Sequence, residues 1–293
     1  MTNTADSFRD KWEQNKRLAF EETLREGSDI FSWILQRNGF GSADELIEYL
    51  KDKRRVLDAG CGNGRVTALL RRYCPTTTEI VGIDLVSPEI ARENLEAYHL
   101  AHQVTFFQRD LLGDLEDLGK FDFIYCQEVL HHTSYPERAL QNLSSLLSAG
   151  GEIAIYVYRK KAPVREFVDD YVRSKITGLP YEEAIRICSQ ITEFGKALSQ
   201  LHITIRVPEV EILEIKEEKY DLQRFIYHFF MKCFWNPNLT FQENVAINYD
   251  WYHPKVATRH TLEEVREWFR RSSLKIMHEN VDFYGITVRG KLG

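Results

Sequence analysis

The sequence holds no CxxC pair; its cysteines, Cys61, Cys74, Cys126, Cys188 and Cys233, are scattered and odd in number. A complete disulfide framework is therefore excluded. With no N-terminal apolar segment to suggest export, reduced thiols in a cytoplasmic protein are the expectation. Nothing approaches the roughly 20 apolar residues of a membrane span. The most aromatic run, residues 225–235, is broken by His228 and Lys232. Basic excess is also missing. The net charge is −6, and the short runs Lys51, Lys53, Arg54, Arg55 and Arg159, Lys160, Lys161 read as solvated faces, so no nucleic-acid partner is expected. The pairs His131/His132 and His253/His260 lack a carboxylate at HExxH-like spacing, so no metal site is expected. No repeat and no low-complexity tract is visible.

What is present is ample core material, 43% hydrophobic and 28% charged residues over 293 positions. That suits one large domain or a core with an elaborated insertion. The informative stretch is Arg55–Arg65, RVLDAGCGNGR, where a buried-strand run meets the alternating glycines Gly60, Gly62 and Gly64. Asp84 ends a second apolar run, EIVGID, twenty residues after Gly64. Glycines allow a tight turn and close backbone approach to a ligand, and an acid at that spacing accepts hydrogen bonds from ribose hydroxyls. The sixth residue from Gly60 is Arg65, so the dinucleotide pattern GxGxxG is absent and the loop reads GxGxG.

Around this loop strand and helix alternate. Strands are expected at VLDAG, Glu79–Asp84, Gln103–Gln108, Phe121–Cys126 and, after a Gly150-Gly151 turn, Glu152–Tyr158. Helices are expected at Arg65–Tyr73, after Ser87-Pro88-Glu89 with Ser87 as the cap, and at Glu137–Leu147. Alternation of this kind demands a parallel sheet with helices on both faces. Apolar residues at helical spacing (Phe8 and Trp12; Ile30, Trp33 and Ile34) make the first fifty residues helical, with a break at Gly39-Phe-Gly41. After residue 256 come a helix at Thr261–Arg271 and strands at Leu274–Glu279 and Phe283–Arg289.

The glycine loop with Asp84 resembles motif I of the class I S-adenosylmethionine-dependent methyltransferases. The resemblance implies a doubly wound, seven-stranded, mostly parallel α/β sheet whose last strand is antiparallel. It divides the chain into an N-terminal helical cap (1–53), a core (54–158 and 257–293) and a largely helical, aromatic-rich lid or substrate insertion after the fifth strand (159–256). It implies S-adenosyl-L-methionine as cofactor, with Asp58, Gly60 and Gly62 at the methionine end, Gly64 among the cofactor-binding residues, Asp84 on the ribose and Leu85 against the adenine. Asp110 would accept from the adenine amino group, with Leu111 on the ring and Gln127 near the methionine part. Each acid, taken singly, also reads as a helix cap or a loop residue in water.

The segment Glu128-Val-Leu-His-His-Thr133 resembles the fourth-strand region of methyltransferases of small molecules, quinone-type enzymes among them. The (D/N)PP(Y/F) signature of many base- or glutamine-methylating enzymes is absent. The expected reaction is in-line methyl displacement by an O, N, S or C nucleophile of a small, partly apolar acceptor. Should a general base be needed, His131, His132, Asp250, His253 and His260 are the candidates, converging with the insertion's aromatic groups on the sulfonium. Eleven aromatic residues fall between Tyr220 and Tyr252, and their alternative role is a second small core. Methylation of RNA or protein, or a non-catalytic cofactor-binding subunit, are the rival functions. The sequence leaves acceptor and oligomeric state open.

Overall fold

The computed structural model describes residues 4–86 and 88–293; the expected cap Ser87 lies outside the described residues. Among the described residues nine strands occur in chain order: β1 Arg55–Ala59, β2 Glu79–Asp84, β3 Val104–Gln108, β4 Phe121–Cys126, β5 Leu147–Tyr158, β6 Thr204–Val207, β7 Glu218–Asp221, β8 Leu274–Val281 and β9 Gly285–Leu292. Seven form one sheet in the order β3-β2-β1-β4-β5-β9-β8. β1 to β5 pair in parallel, while β9 runs antiparallel to β5 and β8. The expected doubly wound sheet with an antiparallel closing strand is therefore present.

Burial explains the strand sequences. β1 lies between two strands, and Val56, Leu57 and Ala59 are fully buried. Successive residues serve opposite cores: Leu57 and Ala59 join Leu140, Leu143 and Phe269 on one face, and Val56 joins Leu50, Leu69 and Leu95 on the other. Edge strand β3 needs burial on fewer sides, so Phe106 is buried and Phe107 exposed. The glycine pair 150–151, expected to turn before a strand, instead lies inside β5. The register slips there, from Phe121↔Leu147 to Phe123↔Glu152, and Gly150 takes φ +71°. A bulge admits the extra residues that a simple turn would have ended. At the β8–β9 hairpin, Asp282 Oδ1 accepts from Tyr284 N and Gly285 N at 2.7 and 2.9 Å, so β9 begins at Gly285 rather than Phe283.

The chain divides into two compact units, one of Trp12–Arg159 with Val256–Gly293, the other of Lys160–Lys255 with the residues up to Lys11. The first unit holds the sheet and the helices Phe20–Leu24, Asp29–Arg37 and Ala43–Leu50. The second holds helices Pro163–Ile176, Tyr181–Gln200, Leu222–Phe229 and Phe241–Tyr252 with the β6–β7 hairpin. Part of its aromatic run forms a small core, where Tyr220 and Phe229 are buried and Phe225 packs against both.

Candidate cofactor and acceptor site

The glycine loop is built as its sequence demands. Gly60, Gly62 and Gly64 have φ of +88°, +53° and +84°, a region that side chains strain against. A Cβ on Gly60 would stand 2.2 Å from Val129 Cγ2, and one on Gly62 2.6 Å from the Trp12 ring. Gly60 N and Cys61 N donate to the Ile83 carbonyl at 2.7 and 2.9 Å, tying the loop to the end of β2. Asn63 Nδ2 donates to the Leu18 carbonyl at 3.0 Å, and Asn94 Nδ2 to those of Lys16 and Asn63 at 2.8 and 2.9 Å. The segment around residue 17 thus holds the loop's far side.

Asp84 sits at the carboxyl end of β2, where open parallel sheets bind ligands. Its Oδ2 accepts from Gly62 N at 2.9 Å and its Oδ1 from Val86 N at 3.0 Å. Leu85 beside it is exposed, at 42%. Asp58, at the end of β1, is buried and accepts from Thr67 Oγ1 at 2.5 Å. Burial first, and the nearby Asp84 charge after it, raise the Asp58 carboxyl to about 7 against the opposing Thr67 hydrogen bond. Asp110 is exposed and accepts from Leu112 N at 2.9 Å, while Leu111 belongs to the buried core. Gln127 Oε1 accepts from the Tyr125 hydroxyl at 2.8 Å, which itself accepts from Asn38 Nδ2 at 3.0 Å. The buried Gln127 Nε2 has no hydrogen-bond partner among the described residues.

Beyond β4, Glu128 takes φ +61° and pairs with Arg65 at 3.0 Å. Neither this pair nor the Thr67 contact was legible in the sequence; the one available signal is a hydroxyl in the first turn after the loop. His131 is fully buried and stacks on the Tyr158 ring, centroids 3.6 Å apart at 26°. Its carbonyl accepts from Thr258 N at 2.8 Å and Thr258 Oγ1 at 3.2 Å. His260 Nε2 lies 2.8 Å from Thr258 Oγ1, and the tautomer of the ring sets which of the two donates. His132 Nδ1 lies 2.8 Å from the Val256 carbonyl. A carbonyl only accepts, so Nδ1 carries the proton and Nε2 is the basic nitrogen of the neutral ring.

Asp250 and His253 belong to the second unit. Asp250 pairs with Lys11 at 2.9 Å. His253 Nε2 donates to the Leu179 carbonyl at 3.0 Å, and its Nδ1 accepts from Ser7 Oγ at 2.9 Å. Burial lowers its pKa, keeping the ring neutral. Of the five candidate bases, His131, His132 and His260 thus belong to the sheet's unit, and Asp250 and His253 to the other, where they hold Lys11 and Ser7.

Residues 57–153 match the family described as "Methyltransferase domain". Residues 57–153 are a methyltransferase domain by sequence. Its sequence is 37% identical over 116 residues to an uncharacterized protein of Synechococcus sp., covering 38% of this chain and 28% of that one. It is 31% identical over 130 residues to the ubiquinone biosynthesis O-methyltransferase of Glaesserella parasuis, covering 40% and 52%. The chain thus spans about half or less of these relatives' lengths. The N-methyltransferase NodS of Bradyrhizobium japonicum, solved with S-adenosyl-L-homocysteine, shares the fold at 14% identity and a TM-score of 0.50, with 99% of both chains covered. The methyltransferase domain accounts for the glycine loop and the β1, β2 and β4 ends. Among the described residues no group of His, Cys, Asp and Glu is placed to hold a metal, and no helix is long and apolar enough to cross a membrane.

Proposed function

We propose that this chain binds S-adenosylmethionine and transfers its methyl group to an O, N, S or C nucleophile of a small, partly apolar molecule. One observation carries the reading: the Asp84 carboxylate is anchored by the amide of Gly62 in a loop of left-handed glycines at the end of β2. Carboxylate oxygens accept more than one hydrogen bond each, so an anchored Asp84 is still fitted to ribose hydroxyls. Exposed Leu85 offers an apolar surface to the adenine. Asp110 and Leu111 are assigned to the far side of the base. The buried Gln127 amide nitrogen is a donor suited to the methionine carboxylate. A buried Asp58 whose carboxyl is raised suits the methionine ammonium, directly or through water.

When bound, the cofactor supplies a reactive electrophilic methyl group. The protein's share is alignment and exclusion of water. His132, with Nδ1 held by Val256, is assigned as the base that takes a proton at Nε2 when the acceptor must lose one. His131, Tyr158 and the Thr258–His260 pair position it. The unit of residues 160–255 is assigned to acceptor recognition. Five free, buried cysteines suit a reducing compartment, and the cytoplasm is the proposed location.

Incubating the protein with methyl-labelled cofactor and a cell-extract metabolite pool should label a small molecule. Label only in RNA or protein would favour the macromolecular rival, and cofactor binding without turnover the non-catalytic one. With the acceptor in hand, His132→Ala should cut the transfer rate about tenfold, about 1.4 kcal/mol, while leaving cofactor affinity unchanged. An unaltered rate would remove His132 from the mechanism.

Asp58 yields a pH dependence. A carboxyl raised from 3.8 to about 7 stabilises the fold fully below 3.8, and that contribution is lost as pH rises through 7. An ammonium prefers the ionised form, so cofactor affinity should fall about tenfold from pH 7.5 to 6, and Asp58→Asn should flatten the profile. Calorimetry showing the same slope in both proteins would detach Asp58 from the ammonium.

A further inference from the structure

Each glycine of the cofactor loop has its side-chain space filled by a group from another segment. A Cβ would stand 2.2 Å from Val129 Cγ2 at Gly60, 2.6 Å from Trp12 Cζ2 at Gly62 and 2.8 Å from Leu95 Cδ1 at Gly64. Val129 and Leu95 lie inside the matched residues 57–153, whereas Trp12 precedes them. The middle glycine alone is backed from outside that stretch. It is also the one joined to the ribose acid, because its amide donates to Asp84 Oδ2 at 2.9 Å. Gly62 has no side chain to anchor it, and glycine loses more backbone freedom on ordering than any other residue. A half-buried indole against its Cα restricts the rotations that would turn the amide away from Asp84.

The chain just after Trp12 is fixed in turn. Asn63 Nδ2 donates to the Lys16 and Leu18 carbonyls at 3.2 and 3.0 Å, and Asn94 Nδ2 to the Lys16 carbonyl at 2.8 Å. Both asparagines are buried, where an amide needs its partners. Phe20 is fully buried, its ring 4.7 Å from that of Tyr98 between centroids. The stretch from Trp12 to Phe20 thus lies along the glycine loop and the helix Pro88–Ala97, in the same compact unit. The exposed pair of Lys16 with Glu93, at 3.1 Å, adds little.

We propose that Trp12 is a positioning residue for the cofactor: it holds the Gly62 amide on Asp84, so the ribose acid is aimed only while residues 12–18 are seated. This rests on the methyltransferase reading and adds a requirement that residues 57–153 do not contain.

Native-state hydrogen exchange at rising denaturant follows residues 12–18 and 60–64 in the free wild-type protein. The two stretches should lose protection in one step, ahead of β4 and β5. Trp12→Ala should speed loop exchange at least tenfold and weaken S-adenosylhomocysteine binding at least tenfold by calorimetry, with β4 and β5 unchanged. Trp12→Phe, which leaves a ring in the seat, should restore most of both. A wild-type loop that stays protected after residues 12–18 have opened overturns the proposal, whether or not the variants fold. So does wild-type affinity in a folded Trp12→Ala protein. Lost affinity at unchanged loop exchange overturns it too, since Trp12 would then touch the cofactor and not position the loop. Joint opening in a wild-type protein that binds no S-adenosylhomocysteine supports the role of Trp12 in the loop and overturns the methyltransferase reading instead.

Discussion

Asp169→Ala should destabilise the unit of residues 160–255 by about 3–5 kcal/mol, the cost of leaving a buried cation without its partner. The carboxylate is completely buried and takes four hydrogen bonds, from Arg165, Trp251, Tyr252 and the Lys232 amide. Removing it takes the acceptor from a guanidinium that is 1% exposed, an indole N–H and the Lys232 amide together, while the Tyr252 hydroxyl keeps the Lys232 carbonyl at 2.8 Å. The pKa values point the same way. Burial works against the Arg165 charge, and Asp169 first, with Tyr227 and Tyr252 after it, more than restores it. The Tyr252 hydroxyl, first by burial and then by the adjacent Asp169 charge, is pushed well above its ordinary value. Hydrogen exchange of the helix Pro163–Ile176, which carries both Arg165 and Asp169, is the local readout. Asp169→Asn keeps the shape and removes the charge, so it should be destabilised nearly as much. Protection of that helix unchanged in both variants would show that the network contributes little.

Asp84→Ala should weaken S-adenosylmethionine binding by about 1.5–3 kcal/mol, roughly ten- to a hundredfold, the range for hydrogen bonds to a charged group. Two losses combine. The ribose hydroxyls lose their acceptor, and the amides of Gly62 and Val86 lose the carboxylate that orders the loop, held now at 2.9 and 3.0 Å. Asp84→Asn separates them, since an amide oxygen can still accept from one of the two. It should therefore bind better than the alanine variant and worse than the wild type. Calorimetry that finds wild-type affinity in a folded Asp84→Ala protein would sink the ribose assignment, and with it the observation that carries the proposed function.

The sheet was legible because its determinants are local and periodic. Apolar runs at Val56–Ala59, Glu79–Asp84 and Phe121–Cys126 are strands buried on both faces, and the glycines between Gly60 and Gly64 adopt the left-handed backbone their spacing calls for. The helices Ala43–Leu50 and Leu262–Arg271 likewise begin at residues whose side chains cap them, Ser42 and Thr261. Three things were decided only in three dimensions. The glycine pair at 150–151 became a bulge, because β4 on one side and β9 on the other impose their register on β5. Which histidine carries a usable lone pair depends on carbonyls far along the chain, Val256 for His132 and Leu179 for His253. The grouping of Lys161 and Lys232 at Trp251 joins residues up to 90 positions apart, through the folding of three separate segments against Asp169. Strand and cap signals are written within a few residues of where they act. A tautomer or a cluster of charges is a property of what the chain brings into contact, and that follows only from the packed fold.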